Sequence, residues 1–303
     1  MRKLGLSIAT AALVAFGAGQ ASQEAAAASA AHPPQGDFGF TGFFGKFDRD
    51  AAQRGLQVYV GVCASCHGLD LIRYRELSGL GYSEEQIKAF AAQFEVTDGP
   101  NEDGDMFTRP GEPKDRFVNP YRNVQEAAAI NGGKAPPDLS LIVKARAHGL
   151  GSIGANFLDM LQGGEFATGA SYVSALIGTG YVEEPTLDDK KLCKPQPAGK
   201  SQEDWEAELN AWSLPPGTYF NKWFPGCAIG MPNPLYDDAV EYTDGTAATP
   251  EQMGQDVAEF LAWASEPSME ARKETGIAVL LFLAVLTGIM IAVKRQTWAN
   301  VKH

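Results

Sequence analysis

Val62-Cys63-Ala64-Ser65-Cys66-His67-Gly68 is the stretch of sequence that decides the fold class. Cys-x-x-Cys-His is the spacing by which a c-type haem is attached, because one turn of backbone sets the two thiols at the separation of the two haem vinyl groups. The imidazole of His67 then falls beneath the iron. The motif predicts one covalently bound haem c, held by Cys63 and Cys66 with His67 as the proximal ligand, and hence an electron carrier.

Two other interpretations of this motif are a redox dithiol and a zinc half-site, and both leave His67 without a role. A zinc site also requires a second pair of ligands. The remaining cysteines, Cys193 and Cys227, lie far apart in the sequence and form no second Cys-x-x-Cys. The haem interpretation is therefore preferred.

A c-type iron used for electron transfer normally has a second axial ligand. Methionine is the expected type, because thioether sulfur opposite imidazole favours the reduced state of the iron. Met231 is the first candidate. It lies in Gly226-Cys227-Ala228-Ile229-Gly230-Met231-Pro232-Asn233-Pro234, where glycines let the backbone approach the ring and prolines stiffen the loop. Met106, in an acidic loop, is the second candidate and His148 is the third.

The N-terminus has the pattern of a secretory signal peptide. Residues 1–31 combine a short basic head, an apolar run too short to span a bilayer, and a row of small residues. Cleavage after Ala21 and cleavage after one of the alanines at 28–31 both fit this pattern. We expect the chain to be exported.

The C-terminus contains a predicted membrane span. Residues 275–293 carry no charge and would extend about 28 Å as a helix at about 1.5 Å per residue. Lys294, Arg295 and Lys302 follow at once, and basic residues collect on the cytoplasmic side of a span. This predicts a transmembrane helix at 275–293, a cytoplasmic tail at 294–303 and a periplasmic haem domain at 32–274.

Between the two ends the sequence predicts a mainly α fold, a c-type cytochrome domain with long loops and no convincing strands. Capping patterns at residues 83–86 and 249–252 each open a helix. Further helices are expected before Cys63, over 124–130 and from residue 139.

The formal net charge of −12 bears on partners rather than on fold. An acidic surface attracts cationic proteins and repels nucleic acid, and no basic patch suggests nucleic-acid binding. Acidic residues gather at 95–105, 183–189 and 237–244. We expect a cationic protein partner and no nucleic acid.

Further motifs accompany the haem motif over most of the chain. They include Arg73-Tyr74-Arg75, Asn131-Gly132-Gly133, Pro136-Pro137-Asp138-Leu139-Ser140, Tyr219-Phe220-Asn221, Met231-Pro232 and Phe260-Leu261-Ala262-Trp263-Ala264. Together with the C-terminal span, they resemble the cytochrome c1 family, the membrane-tethered haem subunits of the ubiquinol:cytochrome c oxidoreductase, or cytochrome bc1 complex. Residues 149–169 depart from the family pattern and resemble an insertion.

The resemblance implies roles for further residues. Arg146 would pair with a haem propionate and Asn131 would form a hydrogen bond near it. Tyr172 resembles the family tyrosine near the haem, and Pro136 and Pro137 resemble the segment packed on the ring. Cys193 and Cys227 resemble a disulfide pair of some bacterial members, which suits an oxidising compartment.

The resemblance also implies a function. The chain would accept electrons from the Rieske iron-sulfur protein and pass them to a soluble cytochrome c, with its span packed against cytochrome b in the bacterial inner (cytoplasmic) membrane. It would not be catalytic alone, and no catalytic residue is expected. Two alternatives are a membrane-anchored haem enzyme or sensor with an open iron site, and a structural assembly subunit.

Overall fold

The computed structural model describes residues 33–42, 44–147 and 164–300. The predicted signal peptide and His148 lie outside the described residues. Of the stretch at 149–169, only residues 164–169 are described, and they form the start of a helix.

The described chain is mainly helical, as the sequence predicted, with short strands and long loops between the helices. Short 3-10 segments follow the first helix at Cys63–Ser65 and Tyr74–Leu80, and another covers Pro225–Cys227. The α-helices are α1 (Arg49–Gly61), α2 (Glu84–Ala91), α3 (Val124–Ile130), α4 (Ile142–Ala145), α5 (Gly164–Gly178), α6 (Leu187–Cys193), α7 (Gln202–Ala211), α8 (Pro250–Ser265) and α9 (Met269–Trp298).

The main core forms where α1 packs on α8. The two backbones approach closely at Gly55, where a Cβ atom would lie only 2.1 Å from the carbonyl oxygen of Asp256. Tyr59 of α1 is buried against Phe260 of α8, with ring centroids 5.7 Å apart. Phe260 in turn stacks on Trp263 at 5.8 Å. A side chain at residue 55 would therefore separate the two helices that organise the domain.

Helix α8 begins where its capping pattern predicted. The Thr249 side chain accepts a hydrogen bond from the backbone N–H of Gln252, and Pro250 occupies the first turn. Ser83 caps α2 in the same way, with Gln86 completing a capping box. Helix α5 also packs on α8, with Gly254 of α8 allowing close approach to the Ser174 carbonyl.

The expectation of no strands was wrong. β1 (Glu95–Asp98) pairs antiparallel with β2 (Phe107–Pro110), and β3 (Tyr219–Phe220) pairs antiparallel with β4 (Ala228–Ile229). These strands are short and the β1–β2 hairpin is largely exposed on both faces, so its sequence carries no alternation of apolar and polar residues. Arg109 of β2 instead stabilises the hairpin through ion pairs with Asp98 and Asp115.

The polar stretch at 185–216 contains α6 and α7, which form a small lobe with β3 and β4. Thr186 and Ser201 cap these helices through their hydroxyl oxygens. The lobe has its own small core around Cys193, Phe220 and Cys227, with Trp212 packed against it.

Helix α9 contains the predicted span at 275–293 and is longer than it. Among the described residues, α9 is the one helix long and apolar enough to cross a membrane. Its large apolar side chains from Val279 onward are exposed. No described part of the chain packs against them, which is the pattern of a lipid-facing helix.

Candidate haem-binding site

A cavity of about 470 Å³ lies between the end of α1, the helices α5 and α8, and two loops. This volume is within the range of roughly 300–1,000 Å³ usual for ligand and cofactor sites. Its wall is mainly apolar. The lining includes every residue that the sequence analysis placed at a cofactor, namely Cys63, Cys66, His67, Asn131, Pro136, Pro137, Arg146, Tyr172 and Met231.

The 3-10 turn at Cys63–Ser65 brings the Cys-x-x-Cys-His side chains together. The backbone N–H groups of Cys66 and His67 both donate to the carbonyl of Cys63, at 3.1 and 2.9 Å. Cys63 and Cys66 are not disulfide-bonded. Burial raises the pKa of the Cys63 thiol, with the neighbouring Cys66 adding to the effect.

The zinc interpretation requires further ligands near these thiols. In the described part of the chain, no group of three or more His, Cys, Asp or Glu side chains is arranged to hold a metal ion. The motif therefore has the histidine and two thiols of a haem attachment site without the second ligand pair of a zinc site.

His67 is held in one tautomer by the backbone. Its Nδ1 lies 2.8 Å from the carbonyl oxygen of Pro137, and a carbonyl can only accept, so Nδ1 carries the hydrogen. Burial lowers the pKa of His67, which favours the neutral ring. The lone pair is then on Nε2, and a hydrogen bond from the other ring nitrogen is how a metal-ligating histidine is usually oriented.

Met231 lies in a loop that is fixed on both sides. The disulfide between Cys193 and Cys227 joins the loop to the end of α6, with a Cα–Cα distance of 5.6 Å. Gly226 has a φ of +73°, the left-handed conformation that glycine adopts most readily. The Tyr181 hydroxyl donates to the Met231 carbonyl at 2.9 Å. This loop presents Met231 to the same cavity as His67.

Of the two alternative axial ligands, Met106 is in the described part of the chain. Met106 is 60% exposed in the turn between β1 and β2 and does not line the cavity. His148 lies outside the described residues. Met231 is therefore the methionine among the described residues that shares a cavity with His67.

Three further side chains at the cavity differ in their burial and in the polar contacts that they make within the protein. Arg146, just beyond α4, lines the cavity and forms no ion pair with any described carboxylate, and a guanidinium is a group that pairs with carboxylates. Tyr172 is buried on α5, and burial raises its pKa. Asn131 donates both amide hydrogens within the protein, to the Tyr121 hydroxyl at 2.9 Å and the Ala127 carbonyl at 2.7 Å. In this arrangement Asn131 has no hydrogen left to donate to a propionate.

The apolar wall was missed by the sequence analysis. Its side chains come from one face of α5, one face of α8 and the loops, and include Val173, Leu176, Ile177, Val257, Leu261, Ile229 and Leu235. The spacing of i and i+4 in Val173–Ile177 and Val257–Leu261 marks a shared helix face. That spacing does not distinguish a face packed on a cofactor from a face packed on protein.

These residues fit a haem: two thiols and a neutral imidazole on one turn, a methionine on a fixed loop, an arginine without a partner among the described carboxylates, and a mainly apolar wall. A helical domain with this site is a c-type cytochrome.

Comparison with known proteins defines the family. The sequence model of the Cytochrome C1 family matches residues 38–301, and the chain belongs to this family. It is 43% identical over 267 residues to "Cytochrome c1" of Rhodospirillum rubrum, covering 88% of each chain. It is 40% identical over 272 residues to "Cytochrome b-c1 complex catalytic subunit, mitochondrial" of Candida albicans, covering 90% of this chain and 79% of that protein.

A third relative is longer. The chain is 46% identical over 271 residues to "Cytochrome b/c1" of Bradyrhizobium diazoefficiens, covering 88% of this chain and 36% of that protein. The chain therefore spans about a third of this relative. Family membership confirms the resemblance seen in the sequence and implies a c-type haem as cofactor.

Proposed function

We propose that this chain is the electron-transfer haem subunit of a cytochrome bc1 complex, accepting electrons from a Rieske iron-sulfur protein and passing them to a soluble cytochrome c. The observation that carries the proposal is that the Cys-x-x-Cys-His turn and Met231 line the same cavity, in a chain of the Cytochrome C1 family. The relatives named for cytochrome b/c1 and for a cytochrome b-c1 complex support the assembly.

Each site residue has a role in this proposal. Cys63 and Cys66 would hold one haem through thioether bonds, and His67 and Met231 would bind its iron. When bound, the haem supplies one-electron chemistry. Arg146 would pair with a haem propionate. The apolar residues of α5 and α8 would exclude water from the haem and so help to set its reduction potential. The chain transforms no substrate itself.

The proposal includes a location in the membrane. Helix α9 would cross the bacterial inner membrane once and pack against cytochrome b, because it is apolar and covered by no described part of the chain. Lys294 and Arg295 would lie on the cytoplasmic side, which puts the haem domain in the periplasm. Residues 1–31 would be removed as a signal peptide, which suits this orientation.

Acidic residues near the cavity are proposed to attract the soluble cytochrome c. Asp237 and Asp238 follow Leu235, which lines the cavity, and neither forms an ion pair with a described residue. Glu102 and Asp103 are exposed in the β1–β2 turn. The sequence alone slightly favours the acidic residues at 95–105 as the docking site, but we propose Asp237 and Asp238 instead, because they follow a residue of the cavity wall.

This docking proposal is tested by comparing two double variants, Asp237→Asn with Asp238→Asn, and Glu102→Gln with Asp103→Asn. The first should slow bimolecular electron transfer to a basic cytochrome c several-fold at low salt, and the second less, because charge acts on the association rate. The difference in rate between the variants and the wild type should shrink as salt is added, because the Debye length is about 10 Å at 0.1 M salt and falls further above it. Equal rates in all three proteins would contradict docking at these acids.

The function itself is tested by replacing two methionines in the chain expressed in a host that lacks it. Met231→Leu should retain covalent haem and assembly but lose quinol-dependent reduction of cytochrome c, because the thioether ligand is lost. Met253→Leu is the matched control, since Met253 is fully buried in α8 but does not line the cavity. It should retain activity.

Two results obtained with the purified wild type and the two methionine variants would contradict the proposal. If the affinity-tagged chain is recovered with haem but without cytochrome b and an iron-sulfur protein, it is not a subunit of this complex. If it is recovered with both and Met231→Leu transfers electrons at the rate of Met253→Leu, Met231 is not an axial ligand.

A further inference from the structure

The loop before α1 carries an exposed aromatic residue on a rigid base. The backbone N–H of Lys46 donates to the carbonyl of Gly39 at 3.1 Å, which closes the loop between them. Phe40 and Phe47 at the base are buried, with ring centroids 5.4 Å apart. Phe44 at the tip is 83% exposed, the highest value among the large apolar residues described. A buried base and an exposed apolar tip suggest that the tip contacts something outside the chain.

This loop is fastened to the start of α9. The ammonium group of Lys273 donates to three backbone carbonyls of the loop, those of Phe40 at 2.6 Å, Gly42 at 2.7 Å and Gly45 at 3.2 Å. All three of its hydrogens are thereby used within the loop. The loop tip therefore lies beside α9 at the level of Lys273.

A second contact fixes the same junction. Glu270, one turn before Lys273, accepts hydrogen bonds from the backbone N–H of Phe47 and from the guanidinium of Arg49, the latter through both carboxylate oxygens. The base of the loop and the start of α1 are thus joined to the first turn of α9. Two residues of α9, Glu270 and Lys273, therefore fix the position of the tip relative to the helix.

The level of Lys273 is defined by the sequence of α9. Lys273 precedes the uncharged residues 275–293 by two positions, or about 3 Å along the helix axis. The polar layer on each side of the hydrocarbon is about 5–8 Å thick, because a bilayer of about 40–45 Å contains a hydrocarbon core of about 30 Å. Lys273 and the carbonyls bound to it therefore lie within that polar layer.

We propose that Phe44 inserts into the lipid interface of the bilayer that α9 crosses, as a second membrane contact that holds the haem domain at a fixed tilt. The inference rests on the proposed membrane anchoring by α9. Lipid is the partner that the observations favour, because an exposed phenylalanine beside the exposed Lys46 is the pairing of an interfacial segment, with the ring among acyl chains and the amine at phosphate.

The test uses the full mature chain with its haem, reconstituted into vesicles of phosphatidylcholine and phosphatidylglycerol. Phe44→Cys carries a nitroxide label. It is the one free thiol in the protein when Cys63 and Cys66 are in thioether linkage, because Cys193 and Cys227 are joined by a disulfide. Collision rates with oxygen, which partitions into lipid, and with a water-soluble nickel chelate report the depth of the label.

Two control positions bracket the result. Tyr236 is 67% exposed on the haem domain, so a label on Tyr236→Cys should collide with the nickel chelate. Leu283→Cys lies in the middle of the span and should collide with oxygen alone. We expect the label at residue 44 to collide several-fold less with the chelate, and more with oxygen, than the label at residue 236.

Each other outcome has a distinct meaning. If the label at residue 44 behaves like the label at residue 236 while Leu283→Cys lies in lipid, the inference is overturned and the anchoring stands. If the label is immobile and shielded from both reagents, Phe44 is covered by protein and the inference is again overturned. If Leu283→Cys itself collides with the chelate, the proposed anchoring fails first.

Discussion

The two walls of the cavity are built in different ways. The helical wall, formed by α1, α5 and α8, contains large side chains that are fully buried, among them Tyr59, Phe260 and Trp263. The loop wall around Met231 has a small core of Cys193, Phe220 and Cys227. The helical wall is stabilised by burial of apolar surface, whereas the loop wall depends on a disulfide and on glycine and proline conformations.

This difference follows from what each wall presents. Cys63, Cys66 and His67 need fixed mutual positions, which a turn at the end of a long packed helix provides. Met231 has to reach the cavity from a segment without regular structure, so the loop gains rigidity from covalent and local restraints. Damage to the helical wall should therefore lower the stability of the whole domain, and damage to the loop wall should alter Met231 with less effect on the fold.

The largest effect on stability is expected from Phe260→Ala in the helical wall. Phe260 is fully buried and contacts Tyr59 and Trp263, so its removal should lower the free energy of unfolding by about 3–5 kcal/mol. Urea unfolding followed by far-UV circular dichroism measures this change.

The control for that variant is Ile130→Ala, a residue 66% exposed on α3. It should change the free energy of unfolding by less than about 0.5 kcal/mol. If Phe260→Ala were no more destabilising than Ile130→Ala, the α1–α8 packing would not be the source of the domain's stability.

A smaller effect is expected from removing the disulfide of the loop wall with Cys193→Ser and Cys227→Ser together. The bond links residues 34 positions apart, and its loss should cost about 2–4 kcal/mol. The characteristic result is functional: the reduction potential should fall as Met231 becomes less firmly held, although haem stays covalently attached. Loss of covalent haem in this variant would show that the two walls are not independent.

The smallest of these stability effects concerns a buried carboxyl in the helical wall. Glu259 of α8 accepts a hydrogen bond from the backbone N–H of Asp48, and burial raises its pKa to about 7. The folded state therefore keeps the proton between about pH 4.5 and 7, where the unfolded state releases it, so stability should decrease as pH rises through this window.

Glu259→Gln should remove this dependence, since the amide oxygen can still accept from Asp48 but does not ionise. We expect the variant and the wild type to be equally stable near pH 4.5 and the variant to be the more stable at pH 8. The double cysteine variant should keep the wild-type pH slope, because Glu259 lies outside the loop wall. An unchanged slope in Glu259→Gln would assign the pH dependence to other groups.

The two walls also differ in how far the sequence predicted them. Two helices of the helical wall follow from local signals: a helix is predicted before Cys63, where α1 lies, and α8 begins at the predicted cap, Thr249. Such signals act within one turn of backbone, so they can be recognised in a single sequence.

The loop wall depends on contacts between distant residues, which leave little local pattern. The pairing of β3 with β4 involves two residues on each strand, too few to show alternation. Met231 was identified from its glycine and proline neighbours, and Cys193 and Cys227 from the family resemblance. Asn131 donates both amide hydrogens to Tyr121 and Ala127. This arrangement depends on side-chain geometry that no local sequence pattern shows.

The account depends most on a haem with His67 and Met231 as its two axial ligands. The absorption spectrum of the reduced protein with and without carbon monoxide tests this directly. The wild type should show no change, because sulfur occupies the second axial position, and Met106→Leu should match it. Met231→Leu should bind carbon monoxide while its haem stays attached under denaturing conditions. A reduced wild-type protein that binds carbon monoxide would contradict the account and indicate an open iron site.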